Sequence, residues 1–295
     1  MVSSGVKESL DGPYVIAGMH RCGTGAVSRI METLGVFMGK RRDRNNEAFC
    51  FRRANEWVLR QTGGSWDYPM PILRLLADHQ RSEEVSTLLG QFVEERDFRE
   101  YRVYLDKTGS EFKHWGWKDP RNTFTLPLWR KIFPDAKLIF VVRNPVDVVA
   151  SLVRRARSVA VKDRKVLHRQ RLRDIGYAFF RQVPGYSNES IRCLDPVEAF
   201  GVWRDYVSVG LGLYERYEGD KVLISYEDLL NDSRQTVRRL AEKLSLPCNT
   251  EVIERAASLV KNPTGNGQYL LDNELDAVVS IARRDETVRK AGYEI

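Results

Sequence analysis

The sequence predicts an α/β fold built on a central parallel sheet, and three observations predict it. Short apolar runs at 14–17, 137–142 and 221–226 alternate with amphipathic helical patterns. The run at 138–142 is continuously apolar and bounded by turn residues, the pattern of a strand buried on both faces. Parallel strands need helical crossovers, and each run is followed by a segment long enough to supply one.

In chain order, residues 1–12 are polar and read as a loose tail, and 13–295 as one domain. Tyr14-Val15-Ile16-Ala17 is the first strand. A basic, glycine-containing loop follows, Gly18 to Gly25, and then a helix with Val27, Ile30, Met31 and Leu34 on one face. Residues 35–47 run through a polar loop to Glu47. The stretch 48–60 reads as a helix, 61–71 as a loop rich in Gly and Pro, and 72–104 as two helices joined near 80–84. A short aromatic strand at 115–118 ends in Lys118-Asp119-Pro120-Arg121, and a short helix runs to Phe133-Pro134. After the strand at 137–142 comes Arg143-Asn144-Pro145, then a helix from Val148 to about Arg157. Helices are predicted over 195–217, 233–246 and 249–260, a strand over 221–226, and helix again over the last twenty-odd residues. Two stretches, about 60–112 and 155–195, read as helical insertions.

The net charge of +7 suggests an anionic ligand more than nucleic acid. No apolar run approaches the ~20 residues that cross a bilayer, and the opening residues lack the apolar centre of a signal peptide. Four scattered cysteines form no metal or disulfide pattern. The expectation is a cytoplasmic protein with reduced thiols. Nine of the twenty residues at 154–173 are Lys or Arg. They read either as a solvated helix face or as a basic lip for an acidic acceptor.

Strand, small-residue loop and helix make a phosphate cradle. Loop amides and the helix dipole favour an anion there. The nucleotidase pattern GxxxxGK[ST] fails: Gly18 is followed five residues later by Gly23, then by Thr24 and Gly25, with no lysine. A second loop, Arg143-Asn144-Pro145 with Ser151 beyond it, and a third, Lys118 to Arg121, also end strands. In open α/β sheets ligands bind at strand carboxyl ends. Three basic loops around one crevice suit a ligand with more than one anionic group.

These residues resemble the sulfotransferases that use 3′-phosphoadenosine 5′-phosphosulfate (PAPS). Arg21-Cys22-Gly23-Thr24 is similar to the family's Lys/Arg-Ser-Gly-Thr loop, and Arg143 with Ser151 matches its 3′-phosphate motif in residue type and spacing. Trp115 to Arg121 and Tyr226 to Leu229 look like segments of bacterial and carbohydrate-type members. The likeness covers about 14–50, 115–155 and 200–246. It implies a three-layer α/β/α, P-loop NTPase-like fold, PAPS as co-substrate and no required metal. It also implies sulfuryl transfer to a hydroxyl of a saccharide or small-molecule acceptor, and the basic stretch at 154–173 allows that acceptor to be anionic. The amides of Cys22, Gly23, Thr24, Gly25 and Ala26 would hold the 5′-phosphate and Arg21 would stabilise the leaving group. Arg is always charged and donates no proton, so its role is electrostatic. Arg143 and Ser151 would clamp the 3′-phosphate. Lys118 would contact the sulfuryl group, or instead bridge to Asp119. Glu47 is the first candidate for general base, His20 the second and Asp119 the third. Cys22 departs from the usual serine and offers a weaker donor. Trp66, Tyr68 and Trp203 are candidates to stack on a sugar. Two other functions fit the cradle: a non-catalytic nucleotide-binding relative, and a P-loop small-molecule kinase, which needs the missing lysine.

Overall fold

Five parallel strands in the order β2-β3-β1-β4-β5 form the central sheet of the computed structural model. The structure describes residues 11–94, 113–167, 190–260 and 273–295, with the side chains of 94 and 159–167 excluded. The tail up to residue 10, much of both insertions (95–112 and 168–189) and the loop at 261–268 lie outside the described residues.

β1 (Asp11–Gly18) lies at the centre, between β3 (His114–Lys118) and β4 (Lys137–Val142). β2 (Val36–Phe37) and β5 (Lys221–Ser225) are the edges. β1 begins at Asp11, inside the predicted tail, because the Asp11 amide donates to the Lys113 carbonyl at 2.9 Å. β2 was not legible in the sequence: two residues carry no alternation. β1 from Tyr14 and β4 from Leu138 are apolar and buried to their ends because helices cover both faces of the sheet.

The helices are α1 (Thr24–Thr33), α2 (Phe49–Gln61), α3 (Ile72–Ala77), α4 (His79–Glu94), α5 (Asn122–Ile132), α6 (Pro145–Leu167), α7 (Pro196–Arg216) and α8 (Tyr226–Asn231). After them come α9 (Ser233–Lys243), α10 (Thr250–Ala257), α11 (Asp276–Ala282) and α12 (Glu286–Lys290). Three boundaries differ from the sequence reading. α3 and α4 meet at Asp78, earlier than expected. α6 starts at Pro145 rather than Val148, because Asn144 Oδ1 accepts from the Val146 amide at 2.9 Å and proline suits the first helical position. Residues after β5, expected as a turn, form α8, capped by Ser225.

Gly210 sets how closely α7 approaches the sheet: a Cβ there would meet the Phe140 ring at 2.0 Å. On the same face of the sheet, Phe51 of α2 stacks on Trp117 of β3 with ring centres 3.8 Å apart. That stack seats α2 against the strand whose end carries Lys118.

Candidate active site

The sheet order places the basic loops side by side. β1 pairs with β4 through Gly18 opposite Val141, and with β3 through Ile16 opposite Lys118. The loops after β1, β3 and β4 therefore open onto one edge. Arg21 Nε donates to Ser151 Oγ at 2.9 Å, and Arg143 Nη1 donates to the Arg21 carbonyl at 3.3 Å. Two segments about 120 residues apart in sequence thus meet directly.

The cradle has the shape an anion loop requires. Arg21 takes a left-handed φ of 70°, and Gly23 one of 95°. A Cβ on Gly23 would sit 2.2 Å from the Tyr226 ring, so only glycine fits the turn into α1. The Arg143 guanidinium lies over the other part of that ring, 4.9 Å from its centre, and reaches Asp147 at 3.7 Å. Glu227 accepts from the Asn144 amide at 3.0 Å. The start of α8 thus buttresses both loops. The amides of Thr24 and Gly25 open α1, as at any helix start, whereas the Ala26 amide, expected to hold phosphate, donates to the Gly23 carbonyl at 2.9 Å.

Cys22 does not face the cradle. Its thiol is buried and donates to the Met19 carbonyl at 2.7 Å, and its amide also reaches that carbonyl, at 3.3 Å. Burial pushes the thiol up to about 12. The expectation that Cys22 offers a weaker phosphate donor is corrected: the side chain braces the loop from behind.

Below the loops lies a buried ionic cluster. Lys118 Nζ donates to Glu47 Oε1 at 3.0 Å and to the Asn45 carbonyl at 3.0 Å. The alternative expectation of a Lys118–Asp119 bridge is not met, because Arg121 takes Asp119 instead, at 3.0 Å. Arg121 also reaches Glu47 at 3.3 Å and Glu56 at 3.1 Å. Glu47 is 3% exposed. Burial raises its carboxyl, but Lys118 and Arg121 outweigh burial and hold it down at about 2. Burial pushes the Asp119 carboxyl up to about 6 against the pull of Arg121.

His20 stands apart from this pairing. Its ring lies edge-on to Trp66 at 4.8 Å and to Tyr206 at 5.8 Å. Its Nε2 is buried with no hydrogen-bond partner among the described residues. Burial, and then Arg121, hold the imidazole well below 6.5, so it is neutral at pH 7.

Asn55, buried in α2, holds the cluster in place and was missed by sequence reasoning. Its Nδ2 donates to Asp119 and to Asn122 Oδ1, both at 2.9 Å. Its Oδ1 accepts from Thr125 and Trp129, both at 2.8 Å. An asparagine on the apolar face of a predicted helix was the available signal. Of the proposed stacking residues, Trp203 is fully buried and donates to the Arg143 carbonyl at 3.2 Å, so it is a core residue. Tyr68 is exposed, and Trp66 is half-buried beside His20.

A sequence model described as the sulfotransferase family matches residues 13–250 of the chain. The chain belongs to the sulfotransferase family. Among solved structures, it is similar to the sulfotransferase domain of the Synechococcus PCC 7002 olefin synthase. That match has 16% identity over 97% of this chain and 96% of the other, with a TM-score of 0.50. A sulfotransferase from Alicyclobacillus acidocaldarius matches at 15% identity over 95% and 94%, with a TM-score of 0.45. STF1 from Mycobacterium tuberculosis H37Rv matches at 15% over 92% and 78%, also with 0.45. No curated protein matches the sequence significantly. The likeness to the first of these structures supports the fold: a parallel α/β sheet with helices on both faces. Among the described residues, no cluster of His, Cys, Asp or Glu could hold a metal ion, and no helix is long and apolar enough to cross a membrane.

Proposed function

We propose that this sulfotransferase moves the sulfuryl group of PAPS to a hydroxyl of a saccharide or other small-molecule acceptor. The observation that carries this is the junction of Arg21 with Ser151 and Arg143 at one edge of the sheet. A co-substrate with phosphates at both its 3′ and 5′ positions fits two adjoining cationic loops. The glycine-only turn at Gly23, which a Cβ would fill, fits a loop that admits a phosphate closely. Thr24 and Gly25 would present amides to the 5′-phosphate, with Gly23 shaping the turn. Arg143 and Ser151 would hold the 3′-phosphate.

PAPS, when bound, supplies the sulfuryl group and a bisphosphate leaving group. The acceptor oxygen gains the bond to sulfur, the bond from sulfur to the 5′-phosphate breaks, and the acceptor proton goes to a protein base. Arg21 and Lys118 would stabilise charge on the leaving and equatorial oxygens. His20 is the base in this reading, because its buried Nε2 has no partner among the described residues and its ring is neutral. Glu47, tied to two cations, is a positioning residue that aims Lys118. The reduced-thiol reading of the four cysteines, all free in the structure, goes with a cytoplasmic reaction.

Calorimetry with adenosine 3′,5′-bisphosphate in metal-free buffer tests the assignment. Binding in the wild type, lost in Arg143→Ala, is expected. Unchanged affinity in Arg143→Ala, or binding only of ATP with Mg²⁺, would overturn it. A binding protein without catalysis would hold the bisphosphate yet release no product with labelled PAPS and any acceptor.

A further inference from the structure

A cleft opens beside the ionic cluster, walled by Glu56, Leu59, Arg60, Ser65, Trp66 and Arg121. It adjoins His20, whose ring packs on Trp66. We propose that this cleft is the acceptor subsite, and that it selects a hydroxylated ring bearing a carboxylate. This inference rests on the sulfotransferase reading above and narrows its acceptor.

Three features of the wall carry it. The first is a buried donor without a partner. Arg121 is 3% exposed, its Nη1 serves Glu47 and Asp119, and its Nη2 serves Glu56. Its Nε is buried with no partner among the described residues. A buried N–H left unsatisfied costs about 1–3 kcal/mol, so a ligand oxygen in the cleft is favoured there. The second is the charge balance. Glu56 is answered by Arg121 at 3.1 Å and Arg52 at 3.5 Å. Arg60, in the last turn of α2, is exposed and pairs with no carboxylate among the described residues. The wall therefore presents one uncompensated cation to the mouth, and a guanidinium takes a carboxylate in a forked pair. The third is the surface itself. Trp66 supplies a half-buried aromatic flank and Leu59 an apolar one. Such a wall suits the C–H face of a ring whose edge carries hydroxyls. With the carboxylate on Arg60, the ring lies along Trp66, the side chain on which His20 packs.

The position of Trp66 is fixed from behind. Tyr206 donates to the Trp66 carbonyl at 2.8 Å, and Arg192 and Ser190 hold the neighbouring Asp67. The flank is thus a built wall.

The test uses two acceptor probes that differ only in the carboxylate, methyl β-glucuronide and methyl β-glucoside. Saturation-transfer NMR measures each on the full-length protein saturated with adenosine 3′,5′-bisphosphate. The wild-type complex is expected to bind the glucuronide at least about tenfold more tightly than the glucoside, the range of a charge-assisted pair. Arg60→Gln should erase that preference while leaving the bisphosphate affinity unchanged. Trp66→Leu should weaken both probes alike, and Trp66→Phe should restore them. Glucuronide that fails to bind the wild-type complex overturns the proposal, as does a preference that survives in Arg60→Gln. Failure of the bisphosphate itself to bind would instead sink the sulfotransferase reading, so the two failures are distinguishable.

Discussion

Glu47→Gln separates a positioning carboxylate from a catalytic base. The substitution keeps the shape and the acceptor oxygen but removes the charge that answers Lys118 and Arg121. In the folded protein the carboxyl sits at about 2, against an ordinary 4.5. That depression corresponds to about 3 kcal/mol of preference for the ionised form. The side chain is almost fully buried, so solvent does not screen the pair away. A folded-state pKa below the unfolded one gives stability that is complete above about pH 4.5 and is lost as pH falls toward 2. At pH 7 the variant should be less stable by about 3 kcal/mol, which for a domain of this size lowers Tm by about 5 °C. The gap should hold from pH 7 to 5 and narrow below about 4.5. Urea unfolding followed by tryptophan fluorescence at several pH values gives the measurement. A variant as stable as the wild type at pH 7 but inactive in transfer would refute the reasoning, and would return Glu47 to the role of base.

The remaining predictions concern the loops and the base. His20→Gln should cut kcat by about 10²–10⁴ with bisphosphate affinity intact. In the wild type, activity should persist at pH 6.5 and fall only further into acid, because the base works neutral and its pKa is lowered; that limb should vanish in the variant. Gly23→Ala should abolish bisphosphate binding by calorimetry, since the new methyl meets the Tyr226 ring and the residue needs a positive φ. Asn55→Leu should destabilise the fold by about 2–3 kcal/mol in urea unfolding, because Asp119 and two indole or hydroxyl donors lose their partner in the core. Retained stability in that variant would mean that the network does not hold the cluster.

The parts legible in the sequence are those where one short segment carries both a pattern and its chemistry. Tyr14 to Leu34 shows strand, loop and helix in line, and Arg143 with Ser151 lies one helix turn and more beyond an unbroken apolar run. Each can be read without knowing what it touches. The fold follows from the same runs, because a strand buried on both faces advertises itself by composition. What was not legible is made by contact across the chain. Glu47 looked like a free carboxylate until Lys118 and Arg121, more than 70 residues away, were placed beside it. Cys22 looked like a loop donor until the turn at Arg21 sent its thiol inward. Both cases share one lesson: a residue type suggests a function, but burial and partners decide whether the group is available.

That distinction also orders the candidates for base. Catalysis needs a group whose proton-accepting atom is unoccupied at working pH. Glu47, Asp119 and His20 all sit within one cluster, and their electrostatics diverge because two cations must satisfy three carboxylates there. Lys118 and Arg121 pull Glu47 down, Arg121 and the Asn55 hydrogen bond oppose the burial that raises Asp119, and burial first, then Arg121, keeps His20 unprotonated. Asp119 has its oxygens filled by Asn55, the Arg121 amide and the Arg121 side chain. Only His20 keeps an acceptor atom that no neighbour uses, among the described residues. The cluster that would orient Lys118 toward a sulfuryl group thus also helps to keep a buried, unpartnered imidazole neutral beside it.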